Sequence, residues 1–224
     1  MTAASFAAIV DAARLRQGAA GLAARLEQPR RPAELAATPD DRYLSLMSLR
    51  IFRAGLRHSV VDAKWPAFEE VFQRFDPRRV RAMSDEALEA GLADRRLVRH
   101  WGKIKAVRDN AAQMLVISEE HGSFGRWLAD WPPADIVGLW EALAKRFSQM
   151  GGNSAARFLR MAGKDTFILT PSVIAALRHW GALAGPPKNR RDHALVQAAF
   201  NAWSEETGRA LCELSVILAA SIED

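Results

Sequence analysis

The sequence predicts an all-α fold. Alanine and leucine dominate, the β-branched alternation that marks strands is nearly absent, and apolar residues recur at intervals of three and four along most of the chain. With 224 residues, 49% hydrophobic and 25% charged, the chain is long enough to bury a sizeable core. One compact domain over residues 1–224 is expected, its N- and C-terminal helices forming one lobe and residues of about 60–165 the other.

The elements follow in order. Ser5 to Gln17 is a helix with Phe6, Ile9, Val10 and Ala13 on one face and Gly18 just past its end. Pro29 and Pro32 mark a break. Asp40 or Asp41 caps a helix to about Arg53, with Tyr43, Leu44, Met47, Leu49 and Phe52 on its apolar side and Gly55 at its exit. Trp65-Pro66 is expected to open another, with proline at the first helical position and Phe68, Val71, Phe72 and Phe75 facing inward. Asp76-Pro77 repeats that device for a short helix, and Ser84 caps the next. From about Gly102 to Glu120, Ile104, Val107, Ala111, Met114, Leu115 and Ser118 define one long helix.

Ser123 starts a short helix bearing Trp127, and Pro132-Pro133 precedes a helix from Asp135 to Phe147, striped by Ile136, Leu139, Trp140, Leu143 and Phe147. Met150-Gly151-Gly152-Asn153 then leads into Ser154, Ala155 and Ala156, the composition of a tight hairpin entering a helix. Thr170-Pro171 caps a helix ending at Gly181, and Gly185-Pro186-Pro187 is a stiff loop. Asp192 to Glu206 and Arg209 to Ile222 form a terminal pair split by Gly208.

Composition excludes several classes. No apolar run approaches the roughly 18 residues of a membrane span. The start Met1-Thr-Ala-Ala-Ser-Phe lacks a basic segment and a cleavage site, so a cytoplasmic location is expected. A single cysteine, Cys212, excludes an internal disulfide and a multi-cysteine zinc cluster, and the five histidines lack ligand spacing, so no metal is expected. No serine elbow, phosphate-binding lysine loop or dinucleotide fingerprint is present.

The net charge of +5 and pI near 9.9 favour a polyanionic partner. The charge gathers between Arg74 and Arg108 and again at Lys188, Arg190 and Arg191. Lys103, Lys105 and Arg108 stand at the start of the long helix, where cations oppose the helix dipole, so an anionic partner or a compensating acid such as Asp109 is called for. The Gly151-Gly152 hairpin offers backbone N–H groups to one phosphate, and serves equally as a plain helix-to-helix turn.

Several motifs run collinear with a known family: Gly55-Leu56, Phe75-Asp76-Pro77-Arg78-Arg79-Val80-Arg81-Ala82-Met83, Leu97-Val98-Arg99-His100, and Lys103-Ile104-Lys105-Ala106 through Asn110-Ala111. In these the chain resembles the 3-methyladenine DNA glycosylase I family, and the Gly151 hairpin with Gly163 beyond it is similar to that family's helix-hairpin-helix entry. The resemblance implies two helical lobes with a cleft between them and a hairpin that grips the DNA backbone. It further implies a monomer that acts on double-stranded DNA containing damaged bases, flips a damaged purine, expected to be alkylated, and hydrolyses its glycosidic bond without a cofactor. Arg99, Lys103, Lys105, Gly151, Gly152 and Asn153 are then the expected DNA contacts.

Two positions depart from the family. Its pocket acid, five residues before the matching glycine, falls at Arg50, and its pocket tryptophan, three after, falls at His58; with Tyr43 as a second stacking surface, these three are the expected base pocket. Arginine offers only donors and repels a cationic base. The family's zinc clamp of paired cysteines and histidines has no counterpart. In the wider superfamily a catalytic aspartate follows the hairpin, and Asp165 matches that placement. An active glycosylase with a changed lesion range, a DNA-binding relative that does not excise, and a helical protein-interaction module are the three readings.

Overall fold

The structure, a computed structural model, describes residues 5–223, so most of the start Met1-Thr-Ala-Ala-Ser-Phe, on which the expected location rests, lies outside the described residues. Every regular element among them is helical. The first two are α1 (Phe6–Gln17) and α2 (Ala19–Ala23). Ser5 caps α1 by accepting from the Ala7 amide, and Gly18 ends it at φ 70. Then come α3 (Pro32–Ala37), α4 (Asp40–Arg53) and α5 (His58–Val71). After these stand α6 (Pro77–Arg81) and α7 (Asp85–Ala93), whose caps are Asp76 and Ser84.

The long α8 (Trp101–His121) is followed by α9 (Phe124–Asp130), which Ser123 caps. After α10 (Ile136–Arg146) the hairpin leads into α11 (Ser154–Ala162). Finally come α12 (Pro171–His179), capped by Thr170, then α13 (Arg190–Thr207) and α14 (Leu211–Ala220).

Trp65-Pro66 does not open a helix. Instead α5 begins at His58 and Pro66 lies inside it on the exposed side. Trp65 stacks on Phe68 and Phe75 at 4.9 and 5.4 Å, while Phe52 lies 4.4 Å from Phe68. Burying Phe68, Phe72 and Phe75 completely is worth roughly 2 kcal/mol each. Together they outweigh the cost of a proline inside a helix, about 3 kcal/mol.

The chain forms two compact units. The terminal unit comprises the residues up to Arg30, Pro132–Leu139 and the chain from Asp165 on. The apolar α14 lies at its centre, packed by α1, α12 and α13. Phe167 stacks on Phe200 at 4.1 Å and Phe6 tilts against Trp203 at 5.4 Å. The thiol of Cys212 is buried and donates to the Glu27 carbonyl, so it is no half of a zinc clamp.

The central unit comprises Arg31–Trp131 and Trp140–Lys164. It reaches back past the expected residue 60 because α4 packs on both α8 and α11. Helix α3 lies against α9 at a close approach that Gly125 permits. A Cβ on that residue would stand 2.5 Å from the Leu35 carbonyl oxygen. Tyr43 fills the adjacent core, 1% exposed, donating its hydroxyl to the same Leu35 carbonyl at 2.8 Å.

Candidate functional site

The sequence-predicted residues, Asp165 apart, fall in the central unit. The hairpin is held from behind. Asn110, fully buried on α8, accepts from the Ser148 amide at 2.7 Å and donates to the Ser148 carbonyl at 3.1 Å. Beyond Ser148 the backbone turns through left-handed conformations at Gln149 (φ 64) and Gly152 (φ 55). Gly151, Gly152 and Asn153 are exposed, and no atom lies within 4 Å of where a Cβ on either glycine would be. A ligand can therefore approach this backbone closely, as glycine allows.

The basic residues divide by what they meet. Arg99 and Lys105 are exposed, and no carboxylate among the described residues holds either. Arg96 is engaged by Asp94 and Glu70, and Arg108 by Asp85.

Lys103 departs from its expected place on the DNA-facing side. It is 8% exposed, and its ammonium donates to the carbonyls of Phe52 and Ala54 at 3.3 and 2.6 Å. The last carbonyls of α4 lack partners within the helix, and the lysine supplies them. Burial, and after it the nearby Arg50, push the Lys103 pKa down.

Of the three expected pocket residues, Tyr43 is part of the core described above and offers no stacking face. His58 stands exposed as the first residue of α5, across the turn made by Gly55 at φ 75. Arg50 is half-buried; its Nε is shielded from solvent and has no hydrogen-bond acceptor. Burial lowers its pKa most, followed by the neighbouring guanidiniums of Arg157 on α11 and of Arg53. Arg53 itself is neutralised by Asp62, through contacts of 2.8 and 2.7 Å. The influence of Arg157 on Arg50 carries no signal in the sequence, because it comes from the packing of α4 on α11.

Asp165 is also placed differently from expectation. Its two carboxylate oxygens accept from the amides of Leu211 and Cys212, each at 2.9 Å. These are the first N–H groups of α14, so the residue is a helix cap supplied from a distant loop, with its oxygens already engaged.

One further feature was not foreseen. Gln73, Arg74 and Phe75 all have positive φ, forming a left-handed turn. The turn borders a groove of about 1220 Å³ lined by Arg74, Arg78, Arg79 and Arg81, with Asp40, Asp41, Asp76 and Glu119 among its other walls. Neither Arg50 nor His58 lines it.

Comparison with known proteins places this arrangement. DNA-3-methyladenine glycosylase 1 of Escherichia coli is 31% identical over 87 residues, covering 39% of this chain and 46% of that protein. The chain thus matches less than half the length of that curated relative.

Among solved structures, 3-methyladenine DNA glycosylase I from Staphylococcus aureus, as a mutant, superposes with a TM-score of 0.51 at 22% identity, over 68% of this chain and 86% of that one. The 8-oxoguanine glycosylase/lyase of Methanocaldococcus jannaschii, in complex with DNA, gives 0.53 at 14% identity over 94% and 93%. At these identities the likeness is one of fold, and both folds are helical glycosylases. The methyladenine glycosylase family model matches residues 35–154. That span exceeds half the chain and runs from α3 through Arg50, the start of α8 and the glycine hairpin, so the chain belongs to the methyladenine glycosylase family.

Proposed function

We propose that the protein is a monofunctional DNA glycosylase of base-excision repair that removes a damaged purine from duplex DNA. The observation that carries this reading is the family match over residues 35–154, which takes in the hairpin. In this reading Arg99, Lys105 and the exposed Gly151-Gly152-Asn153 backbone hold phosphates, and the purine is extruded because its glycosidic bond is inaccessible within the stack. Arg50 and His58 meet the extruded base. The bond from base nitrogen to C1′ breaks, its electron pair leaves with the base, and a water oxygen bonds to C1′; of the two water protons, one stays on the new hydroxyl, and the other goes to a base that leaves as an anion or, where the purine was cationic and leaves neutral, to solvent. No cofactor takes part in that balance.

Release of free base from duplexes carrying methylated, deaminated and oxidised purines, followed chromatographically, tests this reading. The engaged carboxylate of Asp165 favours a second one, a DNA-binding relative that does not excise. Salt-sensitive duplex binding without release of any base is the outcome that would select it.

A further inference from the structure

Trp101 is the tryptophan that the fold leaves unused. The other six are buried or engaged: Trp65 donates to Ser45 and Trp180 to Ser221, Trp127 packs edge-on against Trp131 and Trp203 against Phe200, and Trp140 is 8% exposed. Trp101 is 40% exposed, and among the described residues its ring meets no other aromatic and its indole N–H no acceptor. A single exposed apolar residue needs no explanation by itself. What distinguishes Trp101 is where it stands.

It opens α8, beside two other segments of the central unit. A Cβ on the next residue, Gly102, would lie 4.0 Å from the Gln149 side-chain amide, at the entry to the glycine hairpin. Lys103 donates to the Ala54 carbonyl at 2.6 Å, which ties the same turn of α8 to the exposed Gly55–Val60 stretch. The start of the helix is itself fixed, because the His100 Nδ1 accepts from the Lys103 amide at 3.3 Å. Arg99, His100, Trp101, Gly102 and Lys105 are all exposed there. Trp101 and Lys105, four residues apart, share one face of the helix. A flat apolar ring is thus held among unneutralised cations and beside bare glycine backbone.

Resting on the base-excision reading above, we propose that Trp101 is a base-stacking residue, whose indole enters the duplex at the gap left by the extruded purine and stacks on the bases exposed there. Extrusion opens two base faces to water, and an apolar side chain placed between base steps covers them. An indole matches any base, because every base has a π-face, so the contact carries no sequence preference. Arg99 and Lys105 supply the phosphate contacts that bring the ring to the stack. The ligand this surface fits best is therefore a duplex with a gap in its stack, whatever lesion was removed from it.

The test measures affinity for an intact duplex and for one carrying a tetrahydrofuran abasic site with 2-aminopurine beside it, using the wild type, Trp101→Ala, Trp101→Phe and Lys105→Gln. The wild type should favour the abasic duplex and quench the 2-aminopurine fluorescence. Trp101→Ala should weaken binding of the abasic duplex about tenfold, leave the intact duplex and the salt slope near their wild-type values, and lose the quenching. Trp101→Phe should restore most of the affinity. Lys105→Gln should weaken both duplexes alike and lower the salt slope by about 1.

No abasic preference in the wild type, an equal preference in Trp101→Ala, or quenching that persists without the indole overturns the inference. A Trp101→Ala chain that loses its helical circular dichroism gives the ring a structural role and overturns it too. None of these outcomes touches the base-excision reading. That reading fails if no free base is released from any damaged duplex, and binding of the abasic duplex still decides the role of Trp101.

Discussion

The side-chain amide of Asn110 exchanges two hydrogen bonds with the backbone of Ser148, accepting at 2.7 Å and donating at 3.1 Å. A residue buried in the middle of α8 thereby fixes the segment just before the Gly151-Gly152 hairpin. Both functions of the amide are used, so the replacement most similar in shape, aspartate, supplies only half of the pair.

Asn110→Ala is expected to destabilise the protein by about 2–3 kcal/mol, since it removes two hydrogen bonds and leaves backbone groups without partners. Asn110→Asp should be destabilising as well. Urea denaturation measures the loss. Duplex affinity of the folded variant should also fall, because the hairpin loses its anchor; unchanged stability together with unchanged affinity contradicts the assignment.

Gly125→Ala ordinarily strengthens a helix by about 1 kcal/mol. Here the new methyl would meet the Leu35 carbonyl oxygen at 2.5 Å and Tyr43 at 3.0 Å, and overpacking against backbone costs about 1–3 kcal/mol. A net loss of stability is therefore expected, read as a lowered Tm. A raised Tm would mean that α3 is free to move away from α9.

Lys103→Met should destabilise the fold, because the Phe52 and Ala54 carbonyls lose their donor. It should leave the salt dependence of DNA binding largely unchanged. Removing the exposed Arg99 or Lys105 should do the reverse, each lowering the slope of log affinity against log salt by about 1. Equal slope changes for all three variants would return Lys103 to the DNA-facing set.

The same lysine predicts a pH effect. Its folded pKa lies below the ordinary value of 10.5 through burial and then Arg50. Between the folded value and 10.5 the unfolded chain binds more protons, so this group's contribution makes stability rise with pH across that interval. Comparing wild type with Lys103→Met by denaturation at several alkaline pH values isolates it. A contribution falling with pH would have the wrong sign.

Asp165→Ala should cost about 1–2 kcal/mol as a lost helix cap. The shape-preserving Asp165→Asn should cost less and should leave single-turnover base release near the wild-type rate. A drop of about a hundredfold or more at unchanged stability would instead give Asp165 the catalytic role that its placement after the hairpin shares with the wider superfamily.

The sequence by itself determined most of the helices and several of their caps, though not the start of α5, nor the cap of α4, which is Pro39 rather than Asp40 or Asp41. Ser5, Asp76, Ser84, Ser123 and Thr170 each cap the helix that follows, and the Gly151-Gly152 turn enters α11 as its composition requires. These features are local, because a cap and its amides lie within three residues of each other and apolar periodicity repeats within a few turns. The family motifs were legible for the same reason. Asn110 left a readable trace, a polar residue between Val107 and Met114 on the buried face of α8.

Only the tertiary structure decided what each charged side chain meets. Lys103 turns inward to carbonyls about fifty residues earlier in the chain. Asp165 caps a helix 46 residues further on, and Arg50 is left half-buried with its Nε lacking an acceptor on a helix, α4, that packs on α11. Pro66 stays inside a helix because its neighbours Trp65 and Phe68 are packed against a distant Phe52. A long polar side chain can reach in many directions from its helix at little cost, and the choice among them is made by which buried acceptors the rest of the chain leaves within reach.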